Sequence, residues 1–433
     1  MVAEDLRSEF IRRSADEIHK ALTSRDSLAR EAAPANLAVF EPRMADRRGH
    51  FALLTEHYLS LAKAQGLSSA VFHHRGWSGK RSPGWHSLFP VSDHFVGTGF
   101  SVDAEILDRY TRYLEDTLAH ALRLTKPRFA VFPTARFLTL PAIARAVSAA
   151  PSVEGTIIGV METWPVPDCD DRELVASAFR RAATILAAGD TPVQIFVESP
   201  AIADDLQALG FGVPDQHRLS VRVAPYPAAA RLAGNADRQL RGAKPRFLAL
   251  GASRPVHNPG LLADYLLSAE LPPGQWCVRL NEQLAGAHLG MAPDELNARL
   301  TARDIQLMPA HLDQPAYDRA ILEADLMLLP YGERYETIGS GIFLECLCAG
   351  VIPLVPAGST MRVLYESLGG AAPAIDSLSP GGIADAVNHG VERLAGLRDN
   401  AGTVRDRWLQ HPHGPECWRE RVREMLRTAS ETR

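Results

Sequence analysis

Short apolar runs alternate with longer stretches of helical period along most of this chain, and the alternation comes in two series. In the first, runs at 37–40, 70–73, 129–132, 155–161, 193–197 and 219–223 have the length and Val/Ile/Phe content of strands covered on both faces. Between them, positions 51–65 (opened by Gly49-His50-Phe51), 101–124, 141–149, 172–188 and 200–209 read as helices. Residues 74–100 are polar and basic and read as a loop. The second series has runs at 247–250, 276–280, 305–307, 326–329 and 352–355, and closes with helices at 380–395 and 403–427. Strands alternating with helices predict parallel sheets with helices on both faces. The expected fold class is α/β, with two doubly wound, Rossmann-like parallel-sheet domains facing a cleft.

Positions 228–245 are rich in Ala, Gly and Arg without a clear period. This sets a linker at 231–245, a first domain at 34–230, a second at 246–402 and a terminal helix at 403–433. Residues 1–33 read as a helical extension with Leu6, Phe10, Ile11, Ile18 and Leu22 as its packing stripe. Without a cationic face and large apolar residues, it reads as an element packed on the body rather than a membrane-binding helix.

At 433 residues the chain has room for two ordinary cores. A formal charge of −5 gives no reason to expect nucleic acid as a partner. No run approaches the roughly 18–20 apolar residues that span a bilayer. The first thirty positions mix acids and bases and lack an apolar signal core, so export by that route is not expected. Cys169, Cys277, Cys346, Cys348 and Cys417 show no zinc spacing, and a reducing cytoplasm fits them best. Alanine- and arginine-rich usage points to a GC-rich bacterium.

Candidate chemistry concentrates in residues 325–356, ADLMLLPYGERYETIGSGIFLECLCAGVIPLVP. An apolar run stops at Pro330, a polar loop follows, and Gly339-Ser340-Gly341 opens a helix that carries Glu345 and closes at Gly350. A Gly-rich loop entering a helix presents free N–H groups and a positive dipole end, which suits a phosphate. A carboxylate one turn further suits a ribose diol. Together they read as a nucleoside-diphosphate site at the C-terminal edge of a parallel sheet.

The same block resembles the donor-site signature of family 4 glycosyltransferases, which have the GT-B fold. Those enzymes show a Glu, seven residues, a second Glu, then Ala-x-Gly-x-Pro and a Val-rich strand. Here Glu345 is the second Glu and Ala349-Gly350-Val351-Ile352-Pro353 follows it, while Thr337 stands at the first and Glu336 lies one place off. The run Gly251-Ala252-Ser253-Arg254-Pro255-Val256-His257-Asn258 is similar to the family's Gly-x-x-Arg-x-x-Lys-Gly, with His257 at the Lys and Asn258 at the Gly. The resemblance implies that Arg254 and His257 hold the donor diphosphate, with backbone N–H groups of Ser340, Gly341 and Ile342 at the distal phosphate. It implies Glu345 on the ribose and the Met308–His311 segment, ending in His311, at the nucleobase. Tyr331 and Tyr335 flank the site and either stack on a sugar or pack the loop. Gly49 and His50 lie where the first domain approaches the diphosphate. It also implies that the terminal helix crosses back to the first domain, with Trp408 and Trp418 as anchors.

For catalysis the sequence singles out no base. Candidates are His50, Glu162, Thr337 and Glu336, with Glu333 as a further loop carboxylate and Arg136 beside Glu162 at the expected cleft. The stretch from His73 to Arg81, with Trp85 and His86, suits a sugar, an anionic acceptor or a phospholipid surface, or is a surface loop with two anchoring tryptophans. Asp168-Cys169-Asp170-Asp171 contains Asp-x-Asp but reads as a helix cap, and no metal is expected.

The expectation is a cytoplasmic, retaining, metal-independent glycosyltransferase with a nucleotide sugar as co-substrate, no separate cofactor, an unidentified acceptor, and contact with the inner membrane at most peripheral. Two alternatives stand beside it: a catalytically silent GT-B partner of an active enzyme, and a two-domain sugar-binding receptor.

Overall fold

The computed structural model describes residues 33–44, 49–74, 77–78, 83–89, 102–166, 169–212, 218–224, 227–235, 244–252, 255–309 and 312–431. The helical extension expected at 1–33 lies almost wholly outside them. Contacts divide the chain into two units, one running to Ala224 and resuming at Trp418, the other spanning Pro225–Cys417.

The first unit contains β1 (Leu37–Glu41), α1 (Gly49–Ala64), β2 (Ser69–His74), β3 (Trp85–Phe89), α2 (Ala104–Thr125), β4 (Phe129–Ala135) and α3 (Leu140–Ser148). It continues with β5 (Gly155–Val160), α4 (Arg172–Ala188), β6 (Val193–Val197), α5 (Pro200–Ala208) and β7 (Leu219–Val223). The sheet order is β3-β2-β1-β4-β5-β6-β7, and every pairing is parallel. All five β1 residues are buried, as a strand covered on both faces requires.

The loop expected at 74–100 contains strand β3. Its edge position leaves Ser87 exposed, and the run Trp-His-Ser-Leu-Phe lacks the continuous apolar character that marks the central strands.

The second unit contains a 3-10 segment (Pro227–Asn235), β8 (Arg246–Ala252), a short 3-10 turn (Pro255–His257), α6 (Pro259–Ser268), β9 (Gln275–Leu280), α7 (Glu282–Leu289) and α8 (Pro293–Thr301). Then come β10 (Ile305–Leu307), α9 (Gln314–Glu323), β11 (Leu326–Leu328), a 3-10 turn (Glu333–Glu336), α10 (Gly341–Ala349) and β12 (Ile352–Leu354). Helices α11 (Thr360–Ser367), α12 (Pro380–Glu392) and α13 (Leu394–Gln410) follow, and α14 (Pro415–Glu431) returns to the first unit from Trp418 onward. Its sheet is also wholly parallel, in the order β10-β9-β8-β11-β12.

Two expectations about the boundaries need correction. The expected linker spans 231–245, but Arg231 belongs to the 3-10 segment that packs on α10 inside the second unit. One helix is expected over 403–427, but α13 stops at Gln410 and α14 begins at Pro415, with Pro412 and Gly414 between. Trp408 is buried within the second unit. Trp418 alone packs in the first, against His57, Tyr58 and Phe196 at centroid distances of 4.9, 5.1 and 6.0 Å. Val422, Met425 and Leu426 complete the same core with Val39, Val71, Val131 and Ile157.

Candidate functional site

In a doubly wound sheet the ligand crevice opens at the C-terminal edge where strand order reverses. In the second unit that point lies between β8 and β11, and the loops leaving both strands are fastened to each other. Asn258 Nδ2 donates to the Pro330 carbonyl at 2.9 Å, and the Gly332 N–H donates to the Val256 carbonyl at 3.0 Å. Asn258 has φ 51° and ψ 53°, the left-handed region. This explains the glycine that the family signature places here, since Asn is among the few other residues that adopt it readily.

His257 sits between these loops, 8% exposed. Its Nε2 shares a 2.8 Å hydrogen bond with Tyr335 Oη, and its ring lies 4.6 Å from that of Tyr331. Tyr331 and Tyr335 are themselves 4.4 Å apart and buried. Burial and the neighbouring Tyr335 push the Tyr331 hydroxyl well above its ordinary pKa, while a hydrogen bond with the Ser340 side chain pulls the other way. Thr360 Oγ1 donates to the Tyr335 and Ile338 carbonyls, closing the loop from behind.

Ser340 caps α10, its Oγ accepting from the Phe343 N–H at 3.3 Å. The N–H groups of Gly341 and Ile342 have no acceptor within the helix, by helix geometry. Glu345 lies one turn further in and is 4% exposed. Its Oε1 accepts from Arg231 Nη2 and its Oε2 from Tyr317 Oη, both at 2.7 Å. Burial raises the Glu345 carboxyl above its ordinary pKa, and these two donors oppose the rise. Neither Arg231 nor Tyr317 is marked by the sequence, because an ion pair across 114 positions and a phenol hydrogen bond across 28 leave no spacing signal.

Thr337 is half-buried and its Oγ1 donates to the Arg334 carbonyl at 3.4 Å, while Glu333 and Glu336 are exposed. Arg254 and His311 lie outside the described residues.

In the first unit the reversal point lies between β1 and β4. Glu41, at the end of β1, is fully buried, with Oε2 accepting from Thr134 Oγ1 at 2.6 Å and Oε1 from the Arg43 N–H at 3.2 Å. Arg136 and Glu162 form a buried pair at 2.5 Å beyond β4 and β5. Glu41 escaped the sequence reading because a charged residue at the end of an apolar run looks like the start of a loop. Gly49 and His50 open α1. His73 is buried against Trp77 and Trp85, at 4.9 and 6.0 Å. Asp171 caps α4 by accepting from the Leu174 N–H. Among the described residues, no group of three or more His, Cys, Asp or Glu side chains is arranged to hold a metal ion. Within the same residues, no helix is long and apolar enough to cross a membrane.

No protein-family model matches the chain, and no curated protein is similar to it by sequence. Solved structures are similar to it in fold. Sucrose-phosphate synthase from Thermosynechococcus elongatus superposes with a TM-score of 0.64 at 12% identity, over 92% of this chain and 100% of that one. WaaG, a glycosyltransferase involved in lipopolysaccharide biosynthesis, gives 0.56 at 13% identity, over 89% and 99%. UDP-GlcNAc 2-epimerase from Neisseria meningitidis, bound to UDP-GlcNAc, gives 0.55 at 14%, over 90% and 99%. The two parallel-sheet domains of this chain are those of the GT-B fold.

Proposed function

We propose that this chain is a glycosyltransferase that moves a sugar from a nucleoside-diphosphate sugar to an acceptor hydroxyl. One helix carries the reading. At the reversal point of the second sheet, α10 offers the N–H groups of Gly341 and Ile342 at its start and the buried Glu345 carboxylate one turn later. The first suits a diphosphate and the second a ribose diol. The similar solved structures support it, since they include a glycosyltransferase and a protein holding UDP-GlcNAc.

In this scheme Arg254 and the start of α10 stabilise the leaving diphosphate, and His257 contributes a hydrogen bond from its place between Tyr331 and Tyr335. Retention of configuration and metal independence follow the family resemblance. The polar edge of the first unit, with Glu41, Arg136 and Glu162, is the side proposed for the acceptor. A silent GT-B partner is the second reading. Thr337 favours it, because its hydroxyl cannot bring negative charge toward a developing oxocarbenium.

Thermal stability in the presence of UDP, GDP and their sugar conjugates separates the two readings. A nucleotide at ~100 times its Kd adds about 2.7 kcal/mol to stability. A shift with one base, lost in Arg254→Ala, is the expected result. No shift with any nucleotide would favour the silent partner.

A further inference from the structure

We propose that Arg231 and Tyr317 are positioning residues for the donor ribose, holding the Glu345 carboxylate so that each of its oxygens keeps one acceptor site for a ribose hydroxyl. The inference rests on the donor reading above and deepens it.

Two further elements converge on this carboxylate of α10. Arg231 comes from the 3-10 segment, Tyr317 from α9, and Glu345 from α10. Arg231 is fixed before it reaches Glu345: Nε donates to both Asp318 oxygens at 3.1 and 3.3 Å, and Nη2 donates to Asp318 Oδ1 at 2.8 Å. Asp318 is in turn held by Gln314 Nε2 at 2.7 Å. The guanidinium therefore has little freedom, and the same Nη2 delivers its bond to Glu345 Oε1. Tyr317 Oη meets the other oxygen.

An ionised carboxylate offers about four lone-pair sites, two on each oxygen. Arg231 and Tyr317 fill one on each. The remaining pair, one per oxygen, matches the two hydroxyls of a 2′,3′-cis-diol, which donate side by side. Charge points the same way. Glu345 lies in a setting where burial favours the protonated acid, and a protonated acid would give up an acceptor site. The guanidinium and the phenol oppose that rise, each through its bond to one oxygen. In this arrangement neither Arg231 nor Tyr317 touches the nucleotide; both act through Glu345. If the network were only a staple between the 3-10 segment, α9 and α10, its removal would lower stability without regard to the sugar of the nucleotide.

Calorimetric titration of the full chain with UDP, GDP, ADP and CDP, and with the 2′,3′-dideoxy form of whichever binds, tests this. Wild type is expected to bind the dideoxy form about tenfold or more weakly, as loss of bonds to a charged acceptor requires. Tyr317→Phe and Arg231→Ala should weaken the ribose form by about tenfold and leave the dideoxy form within about twofold of wild type. Tyr317→Phe removes a single oxygen and keeps the test open should Arg231→Ala fail to fold. Equal losses on both ligands, or a wild type indifferent to the diol, would overturn the positioning role and leave the donor reading standing. No binding of any ribonucleoside diphosphate would remove both.

Discussion

Asn258 reaches across the reversal point of the second sheet and donates through Nδ2 to the carbonyl of Pro330, 2.9 Å away. The bond ties the exit of β8 to the exit of β11, and between the two exits lie His257, Tyr331 and Tyr335. One residue thus meets two demands: a left-handed backbone at the start of α6 and a side-chain amide that sets the distance between two loops.

Replacing Asn258 separates the two demands. Asn258→Gly keeps the left-handed backbone and loses only the amide bond, while Asn258→Ala loses the bond and strains the backbone. Urea denaturation should find the Ala variant less stable than the Gly variant by about 1 kcal/mol. Equal stabilities would mean that the conformation at this position costs nothing.

Ser340 caps α10 through its hydroxyl, and aspartate caps helices equally well. Ser340→Asp should therefore leave folding stability within about 1 kcal/mol of wild type. In the donor site the added negative charge would sit where the distal phosphate belongs, so nucleoside-diphosphate affinity should fall by at least about tenfold. Unchanged affinity in a stable variant would move the phosphate away from this helix.

His57 lies 4.9 Å from Trp418 and its pKa is lowered to about 4, chiefly by burial and further by Arg419 and Arg423. The native state thus keeps the ring neutral where the unfolded chain, with a pKa near 6.5, protonates it. Because the folded value is depressed, this contribution is intact above about pH 6.5 and is eroded as pH falls from there toward 4. The slope from this one group reaches at most about 1.4 kcal/mol per pH unit. Urea stability measured from pH 7 to pH 4.5 should fall less steeply in His57→Gln than in wild type. Identical slopes would show that His57 does not titrate on unfolding in this range.

Much of this architecture is legible in the sequence because its signals are local. Buried parallel strands announce themselves as apolar runs, and α10 is bounded by Gly341 and Gly350 within one short segment. Strand β3 was hidden because an edge strand of five residues, with Trp85 half-exposed and Ser87 exposed, does not look apolar. The break between α13 and α14 was visible in Pro412 and Gly414, and the run of charged residues on either side masked it. The partners of Glu345 belong to another category. Arg231 reads as linker, since a residue that meets carboxylates far along the chain carries no periodicity of its own.

The first unit is assembled from two pieces of chain with the whole second unit between them. Trp418, Val422, Met425 and Leu426 close a core whose other members, Val39, Tyr58 and Val71 among them, emerge from the ribosome hundreds of residues earlier. Those four side chains are therefore the last members of this core to be synthesised. The second unit is one continuous stretch and has no such dependence. A truncation just before Trp418 is therefore a change to the core of the first unit, although the residues removed follow the whole second unit in the chain.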